Sequence, residues 1–517
     1  MKNSHSTRSA FTSVELLIVM VVIGILAAIP IVGYRGIQSR ANIASVRVDL
    51  KQAVNQLNIH RVDNNIYPTV LTQLNNGQGL RSNPAITYQY TVNNVSNPPT
   101  FCLTATLGTI AFNVDPAGVM IEGVCSGHTP PTSGGSGSSI SNPTGGVLAS
   151  GGNHTCALKA GAIKCWGEGN DGKLGNGLGT NSSTPVNVTP GELSGKTITS
   201  VAAGSNHSCA FASSAMFCWG YGFYGSLGQN TTTNVLAPTA VITSGVLSGK
   251  AMTAAVVGSS TSCAIASGQA FCWGYNADGQ VGNNTTVQAN APVAVSTSGI
   301  LNGKTIDDID TSGPHTCALA NGASYCWGND QYGGLGNGTG NTSMSVPVET
   351  IMTGVMNGKS ITNVDTGGYI TCAIASGELF CWGWGGDGTM GNGTETFANQ
   401  DPVAVTMSGA LSGKTITDLS VGGNSVCVVA SGGVFCWGRG SDGRLGNGSV
   451  VLSSVPVAVN TSGVLAGKTM VSVSVGGNHA CANDSAGAVY CWGNNNFGQL
   501  GNGTIVGSTV PVAVTGL

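Results

Sequence analysis

Fourteen cysteines fall into seven pairs: Cys156 with Cys165, Cys209 with Cys218, Cys263 with Cys272, Cys317 with Cys326, Cys372 with Cys381, Cys427 with Cys436, and Cys481 with Cys491. Six pairs are nine residues apart and the last is ten, and successive pairs begin 53 to 55 residues apart. A period of this size signals stacked units, none of which can bury its apolar face alone. The stretch HTCALANGASYCWG, residues 315–328, fixes the geometry of one unit. Asn321-Gly322 is the preferred sequence of a two-residue type I′ hairpin loop. With that loop, Ala320 faces Ala323, Leu319 faces Ser324, Ala318 faces Tyr325 and Cys317 faces Cys326. Pair type alternates along an antiparallel ladder, so the cysteines fall on a non-hydrogen-bonded pair with Cα atoms about 4.5 Å apart. That lies within the roughly 4.4–6.8 Å a disulfide needs. The same arithmetic puts Ala160-Gly161, Ser213-Ser214, Ser267-Gly268, Ser376-Gly377 and Ser431-Gly432 at loops, and gives Cys481 and Cys491 a three-residue loop, Ser485 to Gly487. Each bridge closes a short ring and contributes about 2–3 kcal/mol.

Every unit also carries a CWG triplet, a Gly-rich turn such as NNNFGQLGNG, a PVAV-like strand, a turn such as TSGVLSGK and a strand such as TITDLSVGG. That is four strands per unit. Seven such units bury their faces only against one another, and the closed form is a propeller, which leaves short, protected edges. The strand GGVLASGG precedes the first cysteine pair and STVPVAVTGL follows the last CWG. The two chain ends are therefore expected to complete the final blade together.

Composition narrows the setting. The 517 residues imply more than one domain, and 80 Gly with only 8% charged residues suit short strands joined by turns. All 16 cysteines fall into close pairs, with no CxxC spacing. Such a set reads as disulfides formed in an oxidising compartment rather than as zinc ligands. Residues 146–517 hold 11 Lys/Arg against 17 Asp/Glu, a balance of −6 with scattered charges. No nucleic-acid partner is expected, because phosphate recognition needs clustered cations.

The N-terminal third is different. FTSVELLIVMVVIGILAAIPIVG contains an uncharged run, Leu16 to Gly33, about long enough to span a bilayer, with Glu15 at its start. A bare carboxylate in the bilayer centre costs roughly 2.5–3.5 kcal/mol on insertion scales, so Glu15 needs a partner or an interfacial position. SAFTSVELLIVMVVIGILAAIP resembles the class III signal of type IV pilins and pseudopilins. The resemblance implies cleavage by a prepilin peptidase between Ala10 and Phe11, N-methylation of Phe11, and neutralisation of a neighbouring subunit's Phe11 amine by Glu15. The family usually has Gly where this chain has Ala10. Beyond the span, Ile37, Ala41, Ala44, Val48, Ala53 and Leu57 keep a helical rhythm. A helix from Phe11 to about Leu57 would run about 70 Å, kinked at Pro30. TYQYTV and FCLTATL read as strands of a small α+β head, whose last hairpin Cys102 and Cys125 are expected to close. The expected organisation is a leader (1–10), a transmembrane and assembly helix (11–33), a pilin-like helix and head (34–128), a tether (129–145) and the propeller (146–517). The tether, TPPTSGGSGSSISNPTG, has no charge and almost no apolar group.

GGNHTCAL, YCWGN and FGQLGNG in residues 146–517 resemble the regulator-of-chromosome-condensation family. The resemblance implies the propeller fold and, from other members of the superfamily, a protein-binding scaffold. It does not imply the namesake's action on a nuclear GTPase or chromatin, which an exported chain cannot reach. His154, His207, His315 and His479 stand two residues before a cysteine, where other units have Thr261, Ile370 and Ser425. Ile cannot ligate a metal, so these are read as structural histidines bonded to nearby backbone, and no metal or cofactor is expected. Asp171, Asp278, Asp387 and Asp442 sit in Asp-Gly turns whose chemistry accounts for them. No catalytic motif stands in a suitable context, and no enzymatic activity is expected. Seven tryptophans (166, 219, 273, 327, 382, 437 and 492) each follow a cysteine and are read as packing between blades. Trp384 has no counterpart and, with Tyr221, Phe223 and Tyr224, is the candidate ligand contact.

The reading is a mainly β protein: a seven-bladed propeller preceded by a long N-terminal helix and a small α+β head. It would be inserted in the cytoplasmic membrane and then displayed at the cell surface or on an extracellular filament. As a minor or tip subunit of a type IV pilus-like filament it would contact other pilin-like subunits through its helix and a cell-surface, glycan or protein ligand through its propeller. The alternative is a pseudopilin of a secretion or DNA-uptake system whose propeller binds cargo.

Overall fold

The computed structural model describes most residues from 50 to 122 and residues 147–517 except 312 and 341. The chain divides into two compact units, residues 1–139 and 140–517. Ala10, Phe11, Glu15, Pro30, the 11–33 segment and the 129–145 tether lie outside the described residues. Among the described residues no helix is long and apolar enough to cross a membrane.

In the first unit, residues 50–61 are helical where described. Leu50, Ala53, Val54 and Leu57, spaced by one to four, bury one face of that helix. Their core partners include Phe101, Leu103 and Ala105 from a sheet of four antiparallel strands, Thr87–Asn93, Thr100–Leu107, Ile110–Val114 and Met120–Glu122, in chain order. The strands expected in TYQYTV and FCLTATL are the first two. Cys102 is disulfide-bonded; its expected partner, Cys125, lies outside the described residues.

The second unit is seven four-stranded antiparallel sheets, each built from four consecutive strands. The first blade runs Leu148–Ser150, His154–Lys159, Ala162–Gly167 and Ser182–Asn187. The seventh runs Met470–Val475, His479–Asp484, Val489–Gly493 and Ser508–Ala513. The expected final blade shared between the chain ends is therefore not formed. The strand before each cysteine pairs with the strand carrying it, as in Ala149↔Cys156 and Ser474↔Cys481. Each blade thus begins one strand before its cysteine, and the chain supplies all seven whole.

Within each blade the hairpin register is the expected one. Cys317 faces Cys326 and Ala320 faces Ala323. All seven blade disulfides are formed as paired in the sequence. Cys156–Cys165, Cys209–Cys218, Cys263–Cys272 and Cys317–Cys326 staple blades one to four. Cys372–Cys381, Cys427–Cys436 and Cys481–Cys491 staple blades five to seven. Their Cα atoms lie 4.0–4.1 Å apart, somewhat closer than the spacing expected from the ladder. Asn321 and Gly322 both take positive φ, 54° and 77°, as a type I′ turn requires. Ser213 and Ser214 adopt the same turn at 50° and 61° without a glycine. In the seventh blade the Asp484 amide donates to the Ala488 carbonyl, enclosing the three-residue loop.

The ring closes through seven equivalent seams. Each buried CWG tryptophan donates its Nε1–H to a carbonyl in the Gly-rich turn of the preceding blade, at 2.9–3.0 Å. Trp219 reaches Lys173 O, and Trp166 of the first blade reaches Gln499 O of the seventh. The turn must come close to make this bond. A Cβ on Gly501, whose φ is +64°, would sit 2.7 Å from Trp166 Nε1. This contact accounts for the recurring LGNG signature.

Candidate functional site

The propeller has two ends. At one lie the disulfide-stapled hairpin loops. At the other the chain leaves CWG and enters the Gly-rich turn, as the Trp384 amide donating to Tyr369 O and the Tyr221 amide donating to Asn206 O mark.

The histidines belong to the seams. His154 Nε2 meets Ser208 Oγ of the next blade at 2.7 Å, His207 meets Ser262 at 2.8 Å, His315 meets Thr371 at 2.7 Å and His479 meets Thr155 at 2.8 Å. Each hydroxyl spends its one proton on the same carbonyl the tryptophan uses, as Ser208 does on Lys173 O and Thr371 on Gly334 O. The imidazole must therefore be the donor, which fixes the Nε2–H tautomer and leaves Nδ1 a buried bare acceptor in all four. Burial pushes the imidazoles down, to about 3 for His154 and His479 and about 4 for His207 and His315. Their partner is a hydroxyl of the next blade, not the nearby backbone expected from sequence. Where blades five and six have Ile370 and Ser425 in place of His, the facing residues are Val426 and Ala480, which carry no hydroxyl. Among the described residues no group of three or more His, Cys, Asp or Glu side chains is placed to hold a metal ion.

The Asp-Gly turns are also occupied structurally. Asp171 accepts from Asn234 Nδ2, Asp387 from Asn424 Nδ2, and Asp442 from Arg444 in a 2.9 Å ion pair.

The loop end carries two aromatic clusters. At the junction of blades two and three, Tyr221, Phe223 and Tyr224 gather with Tyr275, and Phe223–Tyr224 and Tyr224–Tyr275 stand edge-to-face at 5.0 Å. At the junction of blades four and five, Trp384 meets Tyr332 at 4.9 Å and Phe397 at 4.4 Å, and Tyr332 meets Tyr369 at 4.9 Å. The four residues expected from sequence to form one contact thus split between two junctions, and Tyr275, Tyr332, Tyr369 and Phe397 were missed. The residue after CWG in one blade meets the turn residue of the preceding blade: Tyr275 meets Tyr224, and Trp384 meets Tyr332. Aligning the repeats with a one-blade offset would have found both pairs. Phe223 is 57% and Phe397 61% exposed, so each cluster presents apolar rings to solvent.

Sequence reading also missed a group of carboxylates on the innermost strands. Asp308 and Asp310 of blade four, Asp365 of blade five and Asp418 of blade six are buried or half-buried near the axis. Asp310 Oδ2 accepts from Thr366 N and Thr366 Oγ1, both at 2.7 Å, Asp365 from Val421 N and Asp418 from Val473 N. Burial, with repulsion from neighbouring carboxylates for Asp308 and Asp365, holds all four above the ordinary carboxylate range. Asp308 is pushed up to about 8 and Asp418 to about 7.

Comparison with known proteins agrees with this architecture. The regulator of chromosome condensation (RCC1) repeat matches residues 161–211, 214–265, 267–319, 321–374, 376–429, 431–482 and 486–517. The ultraviolet-B receptor UVR8 of Arabidopsis thaliana is 29% identical over 378 residues, covering 72% of this chain and 82% of that protein. The human E3 ubiquitin-protein ligase HERC2 is 33% identical over 255 residues, 48% of this chain but only 5% of that ligase. Yeast RCC1 (Prp20), solved with Kap60, superposes with a TM-score of 0.59 at 17% identity, covering 75% of this chain and 90% of that one. Human WBSCR16 gives 0.57 at 21% identity, covering 64% and 84%. At those identities the two structures speak to the fold alone. Seven consecutive family matches, each beginning in the hairpin loop of one stapled blade, establish that this chain belongs to the regulator of chromosome condensation (RCC1) repeat family.

Proposed function

We propose that the chain is an exported recognition protein, a minor or tip subunit of a type IV pilus-like filament whose propeller binds a glycan or protein ligand at its loop end. The carrying observation is the pair of solvent-facing aromatic clusters. Six of their eight residues stand at the CWG and Gly-rich turn segments, where the other blades mostly have polar or charged residues. Clustered exposed aromatics mark binding surfaces on soluble proteins. Seven disulfides support an oxidising compartment, and the sequence around Phe11 and Glu15 supports filament assembly after prepilin peptidase cleavage. A propeller is wider than a pilin head, so close-packed neighbours could not all carry one, which favours a minor or tip position. Immunogold labelling of the propeller on native cells tests this. Label at filament ends supports the reading; label confined to the envelope favours a pseudopilin of a secretion or DNA-uptake machine.

A further inference from the structure

The innermost strands are uneven around the ring. Opposite the first cysteine of each blade they carry, in order, Ala149, Ala202, Val256, Asp310, Asp365, Ser420 and Ser474. Two residues earlier, blades two to seven carry Ser200, Ala254, Asp308, Asn363, Asp418 and Ser472. One side of the axis is thus small and mostly apolar, and the other holds four carboxylates on three consecutive blades. Three of these carboxylates form inner seams, while Asp308 accepts from Ile309 N of its own strand. Asp310 binds blade five at Thr366, Asp365 binds blade six at Val421, and Asp418 binds blade seven at Val473. Hydroxyls do the same work beside Asp418 in the blade six–seven seam, where Val475 N donates to Ser420 Oγ, and in the blade seven–one seam, where Ser150 N donates to Ser474 Oγ.

Among the described residues no cation balances these acids. Five lysines stack on aromatic rings at the hairpin end, Lys173 pairs with Glu168, Lys468 with Asp484 and Arg444 with Asp442. The charged groups that act on the cluster are its own members and Asp307, all of one sign. The remaining neighbours are neutral: Thr311, Thr366, Ser420, Ser474 and Asn363. Asn363 is buried with no donor to its Oδ1, leaving an acceptor open to a carboxyl hydroxyl at the level of Asp308 and Asp418. Buried like charges that act on one another raise one another's affinity for protons.

We infer that Asp308, Asp310, Asp365 and Asp418 form a proton-held seam, which binds blades four to seven together while it keeps its protons and loosens them when it loses them. The sign follows from the raised affinity for protons in the folded state. The contribution is fully present below the unfolded carboxylate range, near pH 3.9, and is lost as pH rises through about 6 to 8. The histidines act oppositely, and only below about pH 6.5, so above that value the aspartates act alone. The loosening is local. It strikes the blade four–five junction, which carries the Trp384 cluster, and spares the blade two–three junction, whose inner strands carry Ser200, Ala202, Ala254 and Val256.

Two measurements on the full chain test this, neither of which depends on a ligand. Infrared titration should show protonated carboxyl absorption persisting at about pH 6.5, well above the ordinary carboxylate range, and diminished in Asp365→Asn. Hydrogen exchange, corrected for the intrinsic pH dependence of amide exchange, should show the strands Ile361–Gly367 and Ile416–Val421 losing about tenfold protection between pH 6.5 and 9. Met252–Val257 of blade three should keep its protection. Asp365→Asn, and separately Asp310→Asn, should flatten the difference, since Asn keeps the acceptor oxygen and carries no charge. Absence of protonated carboxyl at pH 6.5, or equal loss of protection in blades three and five, overturns the inference.

Discussion

The hairpin end of the ring repeats, and the loop end does not. At the hairpin end, lysines of blades two to six lie over the aromatic residue before the second cysteine, as Lys196 over Phe217 and Lys414 over Phe435, both at 5.3 Å. Blade one carries Lys164 at that aromatic position, and its Nζ donates to Gly516 O. At the loop end, the residue after CWG is Glu168, Tyr221, Tyr275, Asn329, Trp384, Arg439 and Asn494 around the ring. The tryptophan contact that closes the ring recurs in all seven blades. The residues that face solvent beside the CWG turns are free to differ, and two junctions have gathered aromatics there. Repetition therefore marks what holds the fold, and departures from it mark where recognition can reside.

The largest expected effect falls on the repeated part. Removing one staple, as in Cys427→Ala with Cys436→Ala, should cost about 2–3 kcal/mol of stability in chemical denaturation and leave the loop end's binding unchanged. A cost well below that would mean the hairpins stand without their bridges. The tryptophan seams give a finer test. Thr371 shares the Gly334 carbonyl with Trp382, whereas the Thr389 carbonyl faces Trp437 beside Val426, which has no hydroxyl. Trp437→Phe should therefore destabilise by about 1 kcal/mol more than Trp382→Phe; equal losses would break the proposed seam. The buried histidines predict a spectroscopic outcome. With folded values near 3 to 4, the rings of His154, His207, His315 and His479 should show no titration in NMR from about pH 7.5 to 5. Their contribution to stability is present above about pH 6.5 and is lost as pH falls toward those values. The smallest effect belongs to the stacked cations, where Lys414→Ala should cost about 0.5–1 kcal/mol.

The contacts legible in the sequence were those set within one repeat and those that every repeat shares. The Asn321-Gly322 turn dictated the Cys317–Cys326 pairing by counting outward from the loop, and one residue type at all seven CWG positions exposed the tryptophan packing. Contacts between repeats were legible only at the tryptophans, where all seven copies agree; those made by single blades were not. Asp310 and Asp365 lie a blade apart in sequence, and only the packing of blade five against blade four brings each within reach of the other's charge. Tyr332 and Trp384 meet because a turn of one blade covers the start of the next, an offset that reading each repeat separately hides. The shared final blade was expected because the repeats were phased from their cysteines, whereas strand pairing begins one strand earlier.

The most direct test compares the two ends in one experiment. The propeller, residues 146–517, would be applied to glycan and protein arrays and to cell surfaces beside a loop-end variant, Phe223→Ala with Phe397→Ala, and a hairpin-end variant, Lys196→Ala with Lys414→Ala. Both phenylalanines are exposed, so the first variant should stay within about 0.5 kcal/mol of the parent stability. Binding is expected for the parent and the hairpin-end variant, with its loss in the loop-end variant at unchanged melting temperature. Binding that survives the loop-end changes and disappears with the lysines would contradict it.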